Sequence, residues 1–214
     1  EIYPGDWSSD VCSSDLPWPP PCRPARRASA RRPPRGRGHI VDITNEDPII
    51  STTGKTSREL FEIRTERNQS HKQDFLTVGS MGHSSSICLG VAINKKNQKI
   101  WCIDGDGAAL MHMGAMAVIG SYSPKNMVHI LINNGAHETV GGMPTVASKI
   151  DMVAIAKACG YYYAVCVDNF DDLDNELLKA KSRNELSFIE VMSSIGARDD
   201  LGRPTTSEIG RAHV

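Results

Sequence analysis

Two short polar segments, each just after an apolar run, carry the residue types that a metal–phosphate site requires. Asp106 stands between two glycines and lies just after the apolar residues 99–103, and Asn134 lies just after the apolar residues 127–132. A carboxylate and a neutral amide oxygen together suit Mg²⁺, which prefers oxygen ligands and usually shares them with a phosphate. The flanking glycines allow the backbone to approach a ligand closely. The two segments therefore predict a Mg²⁺–diphosphate site.

The spacing of the two segments fits a strand–helix–strand unit of a parallel sheet. The 25 residues 108–132 separate Gly107 from Asn133, which is enough for one helix and a return strand. Similar apolar runs alternate along the chain with helical segments of about ten residues, which is typical of a parallel sheet covered on both faces. We therefore predict a three-layer α/β fold, a doubly wound parallel sheet of about six strands with helices on both faces. In such sheets ligands bind beyond the carboxyl ends of the strands, where both polar segments lie.

The predicted elements follow one another along the chain without a long gap. Strands are predicted at residues 47–52, 74–78, 99–103, 127–132, 161–165 and 187–191. A turn at 53–57 leads into a helix that ends near residue 64, and further helices are predicted at 84–94, 110–119, 150–159 and 171–181. The glycine-rich residues 135–148 are predicted to form a loop.

Charge and composition exclude several classes of function. Residues 1–40 carry seven arginines and four acidic residues, and residues 208–214 are neutral. Since the formal net charge of the whole chain is −1, residues 41–207 carry a formal charge of −4. A mildly acidic domain gives no electrostatic case for nucleic-acid binding, and no apolar run reaches the roughly 18 residues of a membrane span. The six cysteines show neither CxxC spacing nor a tetrahedral zinc spacing with histidines, which favours reduced thiols in a cytoplasmic protein.

The two ends of the chain differ in composition from its middle. Residues 10–16 and 208–214 can be encoded by seven-codon stretches that are reverse complements of each other, as in a sequencing adapter present at both ends. Residues 17–38 are rich in Pro, Arg and Ala and lack an apolar period, so they cannot bury enough surface to offset the entropy of ordering. We therefore predict that residues 1–40 are non-native or disordered, that residues 41–207 form one domain, and that the last seven residues are an adapter-like tail.

The two polar segments and their spacing resemble the signature of thiamine-diphosphate-dependent enzymes, in the domain that binds the diphosphate. The resemblance covers about residues 41–205. It implies that thiamine diphosphate and Mg²⁺ are the cofactors. It also implies that Asp106, Asn134 and the main-chain carbonyl of Ala136 hold the metal.

The same resemblance assigns further cofactor contacts. Gly107 and Ala108 match the positions that bind the diphosphate. Met81 matches the bulky residue that wedges the cofactor into its V shape, and Gly79 matches the carbonyl that accepts a hydrogen bond from its aminopyrimidine. These assignments are implied by the family and not by the residue types alone.

Longer strings, at residues 52–61, 74–83 and 133–138, resemble one branch of this family, the phosphonopyruvate decarboxylases. This branch implies the conversion of 3-phosphonopyruvate to phosphonoacetaldehyde and carbon dioxide in phosphonate biosynthesis. Two alternatives remain within the family, a sulfopyruvate decarboxylase subunit or another thiamine-diphosphate 2-oxo acid decarboxylase. A non-catalytic flavodoxin-like binding module is the alternative of another class, and it explains the strand–helix alternation alone.

The loop with Thr53, Gly54 and Lys55 is expected to border the cofactor pocket. It does not fit a nucleotide-binding P-loop, because Ile49 stands where that motif needs its first glycine. Lys55 is a candidate contact of the substrate phosphonate, since a cation suits that dianion. A solvated surface lysine is the alternative.

Three loop residues are candidate catalytic groups. His83 and His137 both follow strand ends in glycine-rich loops, where an imidazole can transfer a proton or bind substrate. Glu138 is expected either to orient His137 or to lie on the surface. For the two histidines the alternative is ordinary polar surface.

One catalytic element of the family has no match in this sequence. The glutamate that activates the cofactor belongs to a separate pyrimidine-binding domain, which lies ahead of this domain or on a partner subunit. Nothing before Val41 resembles such a domain. We therefore expect the chain to be the diphosphate-binding half of the enzyme, inactive alone, and the complete enzyme to be a homo-oligomer.

Overall fold

The computed structural model describes residues 36–196 together with residues 201, 202 and 204. Its centre is a parallel sheet of six strands, accompanied by a small antiparallel hairpin. In chain order the eight strands are β1 (Ile49–Ser51), β2 (Asp74–Leu76), β3 (Ile100–Gly105), β4 (Met127–Asn133), β5 (Ala136–His137), β6 (Met143–Pro144), β7 (Tyr163–Val167) and β8 (Ser187–Met192). β5 and β6 form the hairpin, and the others follow the spatial order β2–β1–β3–β4–β8–β7. The predicted α/β class with a six-stranded parallel sheet is confirmed.

Helices form the two outer layers of the fold. Over the described residues they are α1 (Gly36–Thr44), α2 (Lys55–Glu66), α3 (Ser84–Asn94), α4 (Asp106–Met111), α5 (Gly114–Tyr122), α6 (Met152–Ala158) and α7 (Phe170–Ser182). α3, α5 and α6 pack on one face of the sheet, which we call the α3 face, and α1, α2 and α7 pack on the other, the α1 face. None of these helices is both long enough and apolar enough to cross a membrane.

The central strand β3 shows why both faces of the sheet are covered. Ile100 and Cys102 belong to the buried cluster on the α3 face, whereas Trp101 and Ile103 belong to the cluster on the α1 face. A strand buried on both sides has no polar face, so its sequence is a continuous apolar run. The continuous apolar runs in the sequence predict a doubly covered sheet for this reason.

The domain begins before the predicted boundary, which had placed residues up to Ile40 among the non-native or disordered ones. α1 starts at Gly36, and the Ile40 side chain is fully buried on the α1 face. The His39 ring stacks on the first residue of α7. Packing against α7 therefore stabilises a helix that the local composition does not predict. The predictions for residues 1–35 and 208–214 lie outside the described residues.

The helix predicted at residues 110–119 is in fact two helices. α4 begins at Asp106, directly after β3, and ends at Met111, because the backbone angles of the next residue, His112 (φ −129°, ψ 44°), are not helical. α5 then starts at Gly114. The predicted loop at residues 135–148 also has internal structure, since it contains the β5–β6 hairpin and two short 3₁₀ turns.

Gly120 on α5 is a point of very close helix packing, and it supports a test of the layer arrangement. A Cβ at this position would lie 1.7 Å from the carbonyl oxygen of Cys159, at the end of α6. We expect Gly120→Ala to lower the free energy of unfolding by about 3 kcal/mol, because backbone must move on one side or the other. Urea unfolding followed by circular dichroism measures this loss.

Gly90→Ala on α3 is the matched control for that substitution. A Cβ on Gly90 meets no atom within 4 Å, and alanine in a helix interior is favoured over glycine by about 0.5–1 kcal/mol. The control is therefore expected to unfold at the same urea concentration as the parent chain or at a higher one. Equal midpoints for the two variants would contradict the contact between α5 and α6.

Candidate functional site

A cleft opens at the carboxyl ends of β1, β3 and β4, on the edge of the sheet where both polar segments end. Residues proposed from the sequence that line this cleft are Thr53, Lys55, Met81, Asp106, Gly107, Ala108, Asn134, Ala136, His137 and Glu138. Further lining residues are Thr52, Thr56, Gly105, Ile132 and Thr139. Gly54, Gly79 and His83 do not line the cleft.

The register of two neighbouring strands places Asp106 and Asn134 at the same cleft. β3 and β4 pair in parallel with Gly105 opposite Ile132, so the two segments leave the sheet at the same level. Asp106 is the first residue of α4 and is 3% exposed. Asn134 follows the end of β4 and is partly buried.

The carboxylate of Asp106 is buried and forms no ion pair with another described side chain. Burial raises its pKa, and this rise is opposed by hydrogen bonds from Thr145 and from the Gly107 backbone and by the nearby His137. Among the described residues no lysine, arginine or histidine lies within salt-bridge distance of this carboxylate. A buried carboxylate in this state is stabilised by a cation, which would relieve the desolvation that raises the pKa.

Thr145 is a site residue that the sequence analysis did not identify. Its hydroxyl donates a hydrogen bond of 2.5 Å to Asp106 Oδ2, and its backbone N–H donates to the Gly135 carbonyl at 2.9 Å. The β5–β6 hairpin brings Thr145 back to this place, because Ala136 pairs with Pro144. No local sequence signal marks Thr145, since its role depends on how the hairpin closes.

Glu138 connects two other residues of the cleft. Its Oε2 accepts a hydrogen bond from Asn134 Nδ2 at 3.1 Å, and its Oε1 lies 3.3 Å from Lys55 Nζ and accepts from the Gly196 N–H at 3.0 Å. The amide oxygen of Asn134 in turn accepts from the Ala136 N–H at 3.0 Å. Glu138 therefore orients the Asn134 amide, which is neither of the two roles that the sequence analysis considered for it.

Lys55 lies at the cleft, at the start of α2. Its side chain is partly buried and forms an ion pair with Glu138. This position does not match a fully solvated surface lysine. An anion that enters the cleft would compete with Glu138 for the Lys55 ammonium.

His137 packs directly on the backbone at Gly107. A Cβ at Gly107 would lie 2.4 Å from both Nδ1 and Cε1 of the His137 ring. Gly107 is therefore required by the close approach of the imidazole. The contact also places His137 beside the start of α4, within the cleft.

Two glycines predicted to contact the cofactor lie at the margin of the cleft. Gly54 has φ +96°, and a Cβ there would lie 2.8 Å from Thr139, a lining residue. Gly79 has φ +70°, and its N–H donates to the Thr53 hydroxyl at 3.1 Å. These contacts join the loops after β1 and β2 at one side of the cleft.

His83 lies outside the cleft-lining residues, unlike His137. Its ring is exposed, and its centroid lies 4.2 Å from that of His112. His83 Nδ1 is 3.1 Å from the Ser80 carbonyl oxygen. Of the two histidines proposed as catalytic candidates, His137 therefore lines the cleft and His83 does not.

Comparison with known proteins identifies the family. Residues 52–191 match the model of the thiamine pyrophosphate enzymes, C-terminal TPP binding domain. The chain belongs to this family. Its fold resembles that of benzoylformate decarboxylase from Polynucleobacter necessarius, with a TM-score of 0.65 and 17% sequence identity. The superposition covers 84% of this chain and 36% of the decarboxylase chain.

Two groups of curated relatives are similar to this thiamine pyrophosphate domain. It is 35% identical over 194 residues to a phosphonopyruvate decarboxylase of Streptomyces viridochromogenes. The match covers 88% of this chain and 47% of the relative. It is 30% identical over 151 residues to a sulfopyruvate decarboxylase subunit beta of Methanocaldococcus jannaschii. This match covers 70% of this chain and 77% of that subunit. The domain thus spans about half the length of the phosphonopyruvate decarboxylases it matches.

The residues of the cleft fit the cofactor of this family. Asp106 offers a buried carboxylate, and Asn134 offers an amide oxygen at the same cleft. The backbone at Gly107 and Ala108 opens a helix, where free N–H groups suit a phosphate. These residue types are compatible with a diphosphate and its metal ion.

The contact between Gly107 and His137 supports a second test. We expect Gly107→Ala to lower the free energy of unfolding by about 1–3 kcal/mol, because the added methyl group must displace the His137 ring. The matched control is Gly105→Ala in the same motif, where a Cβ would approach no closer than 4.0 Å, to Thr52. Urea midpoints and the NMR signals of the His137 imidazole measure the two effects. Unchanged His137 signals in Gly107→Ala would contradict the contact.

Proposed function

We propose that this domain is the diphosphate-binding half of a phosphonopyruvate decarboxylase. The observation that carries the proposal is the buried carboxylate of Asp106, which lines the same cleft as Asn134. The nearest alternative is the corresponding subunit of a sulfopyruvate decarboxylase. Membership of the thiamine pyrophosphate enzyme family disfavours a non-catalytic flavodoxin-like module.

In this proposal three oxygens of the chain hold Mg²⁺: a carboxylate oxygen of Asp106, the amide oxygen of Asn134 and the main-chain carbonyl of Ala136. Thr145 and Glu138 act as positioning residues. Thr145 fixes one carboxylate oxygen of Asp106, and Glu138 fixes the amide nitrogen of Asn134. Each ligand is thereby oriented by a second residue, which is how proteins hold metal ligands in place. The Asn134 oxygen can bind a metal while it accepts from Ala136, since a carbonyl oxygen has two lone pairs.

Backbone groups and one apolar side chain complete the cofactor site. The N–H groups of Gly107 and Ala108 would bind the diphosphate at the start of α4. Met81, which lines the cleft, would support the bent form of the cofactor. When bound, thiamine diphosphate supplies the electron sink for loss of carbon dioxide from a 2-oxo acid.

The substrate would be recognised by its anionic end. Lys55 lies at the cleft and offers a cation for the phosphonate of 3-phosphonopyruvate, in exchange for its contact with Glu138. His137 lines the cleft and is the better candidate for substrate contact or proton transfer, because His83 lies outside it. A phosphonopyruvate decarboxylase matches 88% of this chain and a sulfopyruvate decarboxylase subunit beta matches 56%, which favours phosphonopyruvate as the acid.

A second domain or subunit would complete the active site. The family's activating glutamate belongs to a pyrimidine-binding domain, and the relatives named as beta subunits act with another chain. Around the cleft the hairpin region exposes apolar side chains, at Val140, Met143 and Val146. These side chains suit a covering partner, and we propose a homo-oligomer in the cytoplasm as the complete form.

Removal of the Asp106 carboxylate tests the metal site directly. We expect Asp106→Asn to weaken Mg²⁺-dependent binding of thiamine diphosphate by at least about tenfold, since even indirect partners of metal ligands contribute 10–100-fold. Isothermal titration with and without Mg²⁺ measures the affinity. Asp171→Asn is the matched control, because it makes the same charge change at an exposed position of α7. Equal affinities for Asp106→Asn and the control would contradict the proposed metal site.

Carbon dioxide release distinguishes the substrates. With thiamine diphosphate and Mg²⁺ we expect negligible turnover by this chain alone, because the activating glutamate is supplied elsewhere. After addition of a pyrimidine-binding partner, kcat/KM is expected to be higher for 3-phosphonopyruvate than for sulfopyruvate. Robust turnover by the chain alone would contradict the shared site, and the reverse order of kcat/KM would favour the sulfopyruvate alternative.

A further inference from the structure

Three side chains with metal-ligating atoms meet in the closed core behind the cleft. Cys102 and His129 are directly opposite each other on β3 and β4, and Asp104 follows Cys102 on the same face of β3. The Cys102 Sγ, one carboxylate oxygen of Asp104 and one ring nitrogen of His129 all lie within 4.8 Å of one another. All three residues are buried. We call them the core triad.

Two polar atoms of the core triad have no hydrogen-bond partner. These are Asp104 Oδ2 and His129 Nε2, in side chains that are 0% and 1% exposed. The other atom of each side chain is satisfied, since Asp104 Oδ1 accepts from the Gly105 N–H at 3.0 Å and His129 Nδ1 lies 3.0 Å from the Tyr161 hydroxyl. A buried polar atom without a hydrogen-bond partner is unfavourable by about 1–3 kcal/mol. Since these two unpartnered atoms face each other, a bound ion that contacts both would remove the penalty.

The distance between these atoms suits two ligands of one metal ion. Asp104 Oδ2 and His129 Nε2 are 3.6 Å apart, which is longer than a hydrogen bond. Nitrogen and oxygen ligands about 2.0–2.1 Å from a tetrahedral ion are separated by roughly 3.3 Å, which is close to the observed distance. The Tyr161 contact at Nδ1 also fixes the ring so that Nε2 faces the triad, as second partners of metal-binding histidines do.

Charge favours a divalent transition metal. A thiolate, a carboxylate and a neutral imidazole carry a total charge of −2, which one divalent cation neutralises. A thiolate together with imidazole selects Zn²⁺ over Mg²⁺ or Ca²⁺. Ser84 and Cys88, both on α3, contact the Cys102 thiol.

We propose that Cys102, Asp104 and His129 bind one structural Zn²⁺ ion in the core. The ion is separate from the Mg²⁺ of the cleft, and it links β3 to β4 just behind Asp106. No spacing rule marks this site in the sequence, because its ligands come from two neighbouring strands and meet only through their register. A closed site of this kind takes up its metal as the chain folds.

Metal analysis of the parent chain is the first test. The chain is refolded with Zn²⁺, dialysed, and analysed by inductively coupled plasma mass spectrometry, and about one bound Zn²⁺ per chain is expected. Refolding with Co²⁺ in its place is expected to give a thiolate-to-cobalt charge-transfer band and the visible bands of a tetrahedral ion. Chelation during refolding is expected to lower the melting temperature.

Substitutions then locate the ion. Cys102→Ser is expected to abolish the charge-transfer band, and His129→Gln is expected to abolish stoichiometric Zn²⁺ binding. Cys159→Ser, at the end of α6, is the matched cysteine control and is expected to keep the charge-transfer band and stoichiometric Zn²⁺ binding. Asp106→Asn is also expected to keep both, because it alters the cleft and not the core triad.

The parent chain decides the matter even if a variant fails to fold. A refolded chain without stoichiometric Zn²⁺ and without a charge-transfer band would overturn the proposal. A band that persists in Cys102→Ser and disappears in Asp106→Asn would also overturn it, since the ion would then lie in the cleft. Neither result bears on the binding of thiamine diphosphate, which is measured separately.

Discussion

The parallel pairing of β3 with β4 is the constraint on which the rest of the molecule depends. It sets Gly105 opposite Ile132, and so brings Asp106 and Asn134 out of the sheet at one level. Both strands are buried on two faces, so a shift of register would misplace apolar side chains on both sides of the sheet. The hydrophobic core therefore fixes the relative position of two polar ligands that lie outside it.

Desolvation explains why this arrangement favours a cation. The pKa of Asp106 is raised mainly by burial, although Thr145 and the Gly107 N–H both donate to the carboxylate. The fold thus holds an anion where water is scarce, and dipoles that are already oriented stabilise it only in part. The proposed metal ion would need little rearrangement of Asp106 and Asn134, because Thr145 and Glu138 already orient these two side chains.

The sequence predicts those parts of the structure that depend on local pattern. The six strands and the ligands Asp106 and Asn134 follow from apolar runs and the residues after them. Thr145 and the role of Glu138 could not be predicted, because they arise where a hairpin folds back onto the cleft. α1 was missed for a related reason, since burial of Ile40 against the sheet stabilises it more than its own composition does.

Glu138 has a consequence for how two ligands of the cleft affect each other. One of its oxygens contacts Lys55 and the other contacts Asn134. An anion that breaks the Lys55–Glu138 ion pair leaves Asn134 next to a Glu138 charge that Lys55 no longer offsets. A metal ion bound to Asn134 likewise alters the electrostatic environment of Glu138, and hence its attraction for Lys55. If an anion binds at Lys55 and a metal ion at Asn134, as we propose, thermodynamic linkage makes the two effects equal in size, and the Glu138 carboxylate couples them.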